Sequence, residues 1–261
     1  MRKRFFFALE IIAPWPERYP EGRLLLESNR HLTLAFLGSE TFSNLQALLA
    51  QVPKPPFRIA IGGSFTKALF LPKRSPRVAA WEVQWWEKQT QLIQYRQTLR
   101  EWLQHVRFSI PEEFLNHVTI ARNPTSLNEW EKMFVPIPCF AKDLSLRGSI
   151  GNSMYETYWN LPLALPFQAI EHTADIAYVI RGESFEELYV HGWLALCFFE
   201  PTLTPYFVPA TPSSLLEVIL ALNGRIAEAD ADCGSAIKAV SQHKVLRCNE
   251  EYMEWEMIAD V

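Results

Sequence analysis

The sequence holds four cysteines among 261 residues, and no two of them stand close: Cys139, Cys197, Cys233 and Cys248 form neither a CxxC pair nor a Cys/His cluster. That spacing argues against a zinc ribbon and a disulfide framework, and a reducing cytoplasm is the expected location. No uninterrupted apolar run reaches the length that spans a bilayer, so no membrane partner is expected. The basic and then apolar opening, MRKRFFFALEIIAPW, has the outline of a secretory leader, but Glu10 breaks the run and no small-residue cleavage site follows. Residues 5–12 are expected instead to form a first core strand. Positive charge is scarce in one part only. Residues 1–166 carry 20 Lys and Arg against 14 Asp and Glu, or +6, whereas residues 167–261 carry 5 against 15, or −10. Two parts so different in sign suit different partners, phosphates for the first and cations or a basic protein for the second.

What is present begins with apolar content: 49% of the chain is hydrophobic, ample for packed cores in one large domain or two modest ones. The proline and aromatic punctuation of WNLPLALPF (159–167) falls where the charge changes sign, and it places a boundary near Pro166 between domains at 1–165 and 166–261. The link is short and apolar, which predicts close packing of the two. Patterning predicts strands at 5–12, 31–37, 57–62, 78–83, 117–122, 140–147 and 154–160, with helices at 41–50 and 85–105. Trp85, Leu92, Tyr95, Leu99, Trp102 and Leu103 form the core-facing stripe of the longer helix, and His105 lies at its end. The second part reads as strands 167–170 and 176–181, helices 184–199 and 213–222, and strands near 236–241 and 253–259. Ser184 followed by Glu187 forms a capping box at the first of those helices.

Two short stretches carry the chemistry: RHLTLAFLG (30–38) and NHVTIAR (116–122). Strand side chains alternate, so His31 and Thr33 share one face while Leu32 and Leu34 take the other, and His117 and Thr119 oppose Val118 and Ile120 in the same way. A single H-x-T is more often a structural histidine bonded to a backbone carbonyl. Two copies, each flanked by apolar residues, suit one reaction class. An ordinary imidazole titrates at roughly 6.5, so one ring accepts a proton from water while its charged twin donates one to a leaving oxygen. Each threonine hydroxyl can bond a phosphoryl oxygen as charge builds there. Nothing in this pattern distinguishes base from acid. Arg122 faces away from His117 and Thr119 in a regular strand, and it stays a candidate phosphate contact beside the alternative of a solvated arginine, because strand ends twist and bulge.

On these residues the chain resembles the two-histidine (2H) phosphoesterase superfamily, and within it the RNA 2′,3′-cyclic phosphodiesterases, also called 2′-5′ RNA ligases. The matching segments are SNRHLTLAFLG (28–38), GGSF (62–65), PRVAAWEV (76–83), NHVTIAR (116–122) and the closing 151–162 segment with Tyr155, so the resemblance covers about residues 4–162. It implies an α+β fold of two pseudo-symmetric lobes around a cleft. The implied reaction is hydrolysis of a terminal 2′,3′-cyclic phosphate of RNA to a 2′-phosphomonoester without a cofactor, with 2′-5′ ligation as its reverse. His31 and His117 would be the acid/base pair, and Thr33 and Thr119 the phosphate anchors. The basic residues Arg23, Arg30, Lys67, Lys73, Arg74 and Arg77 either line an RNA entrance or simply solvate the surface.

The acidic part shows EHTADI (171–176), then G-x-S-x-E-E-L (182–188), IKAVSQHKV (237–245) and EWEMIADV (254–261). By these motifs it resembles archease, the small protein that assists the 3′-phosphate RNA ligase of transfer-RNA splicing and RNA repair. The resemblance implies a smaller α+β domain in which Asp175, Asp260 and the terminal Val261 bind a divalent metal. Hard oxygen ligands select Mg2+ or Ca2+. Lys238 and His243 match the third motif, whereas His191 and an acidic loop of Glu228, Asp230 and Asp232 read as solvated surface. A 3′-phosphate RNA ligase is the implied partner. The alternative for the whole chain is a non-catalytic protein that holds RNA ends or nucleotides, and a third reading substitutes a small-molecule cyclic phosphate for RNA.

Overall fold

The apolar run in KRFFFALEII makes the first strand, β1 (Lys3–Ile12), which buries Phe5 to Leu9 without a break and leaves Phe5, Phe7, Leu9 and Ile11 at most 1% exposed. The computed structural model describes residues 1–110, 115–171 and 175–261. Further along come β2 (Arg23–Leu24), β3 (His31–Glu40), α1 (Phe42–Gln46), β4 (Gly62–Leu71), β5 (Val78–Trp85) and α2 (Gln89–His105). They are followed by β6 (His117–Arg122), α3 (Leu127–Met133), β7 (Pro138–Gly151) and β8 (Met154–Pro162). Hydrogen bonding runs β1-β3-β6-β5-β4-β7, and β7 returns to pair with β1, so six strands close a ring while β8 extends from β7 and β2 from β6. The ring divides into two lobes, β1, β3, β7, β8 and β2, β4, β5, β6. They meet at one seam where β3 pairs β6 through Leu32 and Val118, and at another where β4 pairs β7 from Gly62–Phe140 to Ser64–Pro138.

Several elements depart from the sequence expectation. Residues 57–61 are not a strand: Phe57, Ile59, Ala60 and Ile61 are all buried, a pattern without alternation, and only Ile59 bridges, to Ala164. The strand begins at Gly62 instead. Trp85 belongs to β5, and the helix expected from 85 starts at Gln89, burying Leu92, Tyr95, Leu99 and Leu103. The short helix α3 carries the fully buried Trp130 and was not expected.

The rest of the chain forms β9 (Phe167–Ile170), β10 (Ile176–Gly182), α4 (Phe185–Phe199), α5 (Leu215–Cys233), β11 (Ala239–Gln242), β12 (Arg247–Cys248) and β13 (Met253–Asp260). The strands form an antiparallel sheet ordered β11-β13-β10-β9, with β12 on β13. The capping box forms at α4, where the Glu187 N–H donates to Ser184 Oγ and Glu187 Oε2 accepts from the Glu183 N–H. Helix α5 runs on to Cys233, so Glu228, Asp230 and Asp232 ride its last turns rather than a loop.

Contacts between the two sheets are both apolar and ionic. Phe140, Phe167 and Phe198 pack ring against ring at 5.1–5.8 Å, and Trp86 stacks on Phe207 at 4.3 Å. The surface reading of His191 fails here: its side chain is fully buried, since α4 faces the first sheet along that turn. Its Nε2 bonds Glu87 Oε1 at 2.6 Å, and its Nδ1 bonds the Arg181 carbonyl. A carbonyl only accepts, so Nδ1 carries a proton; with the carboxylate accepting at Nε2, the ring is an imidazolium. Burial pulls its pKa down, but Glu87 and the carbonyl outweigh that and raise it.

Glu87→Ala strands this buried cation and should cost about 3–5 kcal/mol. Because the folded pKa of His191 lies above 6.5, its contribution is fully present below that pH and fades as pH rises through the folded value. Urea titrations of native and Glu87→Ala chains at pH 6 and pH 9 check both; an equal stability difference at the two pH values contradicts the assignment.

Candidate active site

The two H-x-T segments open β3 and β6, the strands that meet at the first seam. Pairing there is antiparallel and joins Leu32 to Val118, both fully buried. In that register His31 stands beside Thr119 and Thr33 beside His117. All four side chains point away from the core that Leu32 and Val118 enter, and they line one cavity of about 320 Å³. The cavity also takes in Arg4, Phe6, Phe36, Arg122, Ser149 and Tyr155.

Arg122 reaches the cavity because β6 is not regular. Opposite β5, Ala80 pairs with Thr119 and Ala79 with Ala121, leaving Ile120 as an extra residue. This bulge buries Ile120 and Ala121 in succession and turns Arg122 onto the face of His117 and Thr119. Strand β3 does the same: Ala8 pairs with Thr33 and Phe7 with Ala35, so Leu34 is extra and Phe36 turns onto the face of His31 and Thr33. Neither bulge leaves its carbonyl idle. Arg96 Nε of α2 donates to the Leu34 oxygen at 3.0 Å, and the Leu25 N–H donates to the Ile120 oxygen at 2.8 Å. The two strands therefore present matching faces, His-Thr-Phe and His-Thr-Arg.

Each imidazole is oriented by its own chain two residues back. His31 Nδ1 bonds the Asn29 carbonyl at 2.7 Å and His117 Nδ1 bonds that of Leu115 at 2.9 Å. Since carbonyls only accept, both rings carry the Nδ1 proton when neutral, which leaves Nε2 as the nitrogen available for proton exchange. Their surroundings differ. Phe6 stacks on His31 at 4.7 Å and Tyr155 meets it edge-on at 5.0 Å. Burial, joined by the positive charges of Arg147, His117 and Arg122, pulls the His31 pKa down to about 3 against the bond to Asn29. His117 is also lowered by burial, against its bond to Leu115.

Other candidates are placed elsewhere. Arg30 does not line an entrance: it is 3% exposed, with its guanidinium over Trp15 at 4.4 Å and Tyr19 at 5.1 Å. Lys67 pairs with Glu82 at 2.9 Å. Arg23 stands opposite Arg122 in the β2–β6 ladder and reaches Ser153 Oγ at 3.2 Å. In the second sheet, Ile176 pairs with Ala259 at the end of the β10–β13 ladder, so Asp175, which precedes β10, and Asp260 and Val261, at the end of β13, lie toward the same end of the sheet. Lys238 bonds Asp230 at 3.0 Å. His172 and Thr173 of EHTADI lie outside the described residues. Among the described residues no group of three or more His, Cys, Asp or Glu side chains gathers closely enough to hold a metal ion. Carboxylates have the chemistry of a Mg2+ or Ca2+ ligand, but Asp175 and Asp260 alone fall short of the roughly six oxygens such an ion takes. No helix among the described residues is long and apolar enough to cross a membrane.

Compared with known proteins, the chain is 33% identical over 137 residues to the RNA 2′,3′-cyclic phosphodiesterase of Thermotoga maritima, an alignment covering 50% of this chain and 69% of that protein. No family model matches the chain. Among solved structures, E. coli LigT complexed with 3′-AMP aligns with a TM-score of 0.45 at 20% identity, covering 62% of this chain and 99% of that one. The Thermus thermophilus protein TT0787 aligns with a TM-score of 0.46 at 17% identity, covering 61% and 97%.

The environment of His31 predicts its titration. NMR of the imidazole nitrogens should show His31 neutral down to roughly pH 4, since its folded pKa lies near 3, while His117 titrates below 6.5. The unfolded chain then binds more protons than the folded one between those values, so His31 adds stability that is present above 6.5 and lost as pH falls toward 3. A His31 midpoint at or above 6.5 contradicts this picture.

Proposed function

The chain belongs to the two-histidine phosphoesterase family, which includes RNA 2′,3′-cyclic phosphodiesterase, and from that premise we propose that it hydrolyses the 2′,3′-cyclic phosphate at an RNA end to a 2′-phosphomonoester. One observation carries the reading: two imidazoles from distant points of the chain share a cavity with two threonine hydroxyls and a guanidinium, across a single antiparallel pair.

The chemistry then follows from the surroundings of the two rings. His31, walled by Phe6 and Tyr155 and held neutral, is assigned as the base, and the less enclosed His117, in its protonated form, as the acid, although burial lowers both. Pairs of titratable groups pushed apart by their environments take opposite roles in this way. Water attacks phosphorus opposite O3′ and gives its proton to His31 Nε2. The P–O3′ bond breaks, and O3′ takes the proton from His117 Nε2. Thr33 and Thr119 donate to the non-bridging oxygens, and Arg122 offsets their growing charge. Every proton is carried by these side chains, so hydrolysis is expected to be insensitive to EDTA.

The acidic sheet supports a second, separate element of the proposal, an archease-like module that assists a 3′-phosphate RNA ligase. The observation that favours it is that Asp175, before β10, and Asp260, at the end of β13, lie toward the same end of the sheet. No step of the hydrolysis is routed through a metal there.

A purified chain given an oligonucleotide ending in a 2′,3′-cyclic phosphate should open the ring in the presence of EDTA. His31→Ala and His117→Ala should each lower kcat by about 10²–10⁴, and Arg122→Met should lose on the order of tenfold to a hundredfold in kcat/KM. An oligonucleotide that binds but stays intact would establish the non-catalytic reading; turnover only of free nucleoside cyclic phosphates would move the substrate to small molecules. Because kcat/KM reports the free enzyme, its alkaline limb should follow His117 and fall below about 6.5. A limb above roughly 7.5 would contradict the assignment of His117 as the acid, and one near 3 would exchange the two roles.

A further inference from the structure

Behind the His31 ring lies a buried guanidinium for which the chemistry above has no use. Arg147 on β7 is 2% exposed and spends its donors on three separate elements. Its Nε bonds Ser145 Oγ at 3.1 Å on its own strand, Nη1 bonds the Ser28 carbonyl at 3.0 Å, and Nη2 bonds Glu10 Oε2 of β1 at 3.0 Å. Ser145 Oγ in turn donates to the Ala8 carbonyl. Burying a guanidinium is costly unless its donors are used, and this fork uses them to tie β1, β7 and one turn together.

That turn matters because it carries the group that aims His31. Residues Glu27–Asn29 form a single helical turn directly before β3. Asn29 gives its backbone carbonyl to His31 Nδ1 and its side-chain oxygen to the Tyr155 N–H, so one residue orients the ring and also holds the aromatic wall beside it. Glu10, which receives the guanidinium, is the ladder partner of His31 itself. The charged or titratable groups around the ring are thus Arg147 from β7, Glu10 and Arg4 from β1, His117 and Arg122 from β6, and Tyr155 from β8. Of these, Arg147 alone bonds the turn through its side chain, at Ser28 beside Asn29.

We propose that Arg147 is the positioning residue of His31: by clamping the Glu27–Asn29 turn to β1 and β7, it keeps the Asn29 carbonyl where His31 Nδ1 must donate to it, and so keeps Nε2 facing the cavity. A lysine would supply the charge but not the fork, since one ammonium on a flexible stem does not span three acceptors on three elements. The kinetic consequence rests on the phosphodiesterase reading of the cavity, whereas the tautomer consequence does not.

The test uses the full chain with ¹⁵N-labelled histidine. In the native protein His31 should show a fixed Nδ1–H tautomer. In Arg147→Met that signature should give way to a tautomer mixture while His117 keeps its own, and kcat on a dinucleotide 2′,3′-cyclic phosphate should fall on the order of tenfold to a hundredfold with KM little changed. Arg147→Lys should recover only part of the loss. A folded Arg147→Met that retains the native His31 signature, or that loses activity through KM alone, overturns the proposal. Should Arg147→Met fail to fold, Glu10→Gln weakens one of the three bonds and must shift His31 the same way by a smaller amount; a native spectrum there also overturns it. If the native chain turns over no cyclic phosphate, the phosphodiesterase reading fails, and the tautomer result still decides the role of Arg147.

Discussion

Everything at the site depends on one backbone pairing, Leu32 opposite Val118 in antiparallel register. Antiparallel pairing of two segments with identical spacing places each histidine beside the other strand's threonine, and the alternation of strand side chains puts all four on one face. A slip of one residue at this seam would turn the histidines into the core and leave Leu32 or Val118 in the cavity. Burial opposes such a slip: both apolar residues are fully enclosed, and each strand is held on its other side by a longer ladder, β3 by β1 and β6 by β5.

On this symmetric backbone the chemistry is not symmetric. Both strands bulge after the threonine, at Leu34 and at Ile120, and the residue each bulge turns inward is an aromatic ring on one side and a guanidinium on the other. Phe36 is 57% exposed and packs on Phe6, whereas Arg122 adds positive charge. The imidazoles differ in the same sense. His31 lies against Phe6 and Tyr155 in front of Arg147, and it gives up its charge more completely than the less enclosed His117. Twofold geometry brings two similar groups to one cavity; in the proposed reaction their unequal surroundings give them opposite proton duties.

Much of this was legible before any coordinates. The alternation in HLTL and HVTI assigns the faces of His31, Thr33, His117 and Thr119 correctly, while a regular strand would have turned Arg122 away. The bulges that bring Phe36 and Arg122 onto the site face were not legible, because they depend on the partner strands and on Arg96 and Leu25, which satisfy the freed carbonyls. Long-range polar pairs were equally hidden. His191 and Glu87 are 104 residues apart, and only the packing of α4 on the first sheet turns an apparently solvated histidine into a buried cation. Arg30 looks like any basic residue until Trp15 and Tyr19 close over it, and Arg147 gains its meaning only once Ser28 and Glu10 arrive from the turn before β3 and from β1. In the second sheet, the cap at Ser184 was local and legible, while the full length of α5 was not, since its acidic last turns carry little apolar periodicity beyond Ile226 and Ala229.

The central claim is that both imidazoles address the same phosphorus. A crystal structure of the chain with a 2′-phosphorylated nucleotide measures this directly. Both Nε2 atoms should lie within about 2.6–3.2 Å of oxygens bonded to that one phosphorus, one on each side of it. A phosphate held by only one ring, or seated outside the cavity bounded by Thr33 and Thr119, would contradict the account.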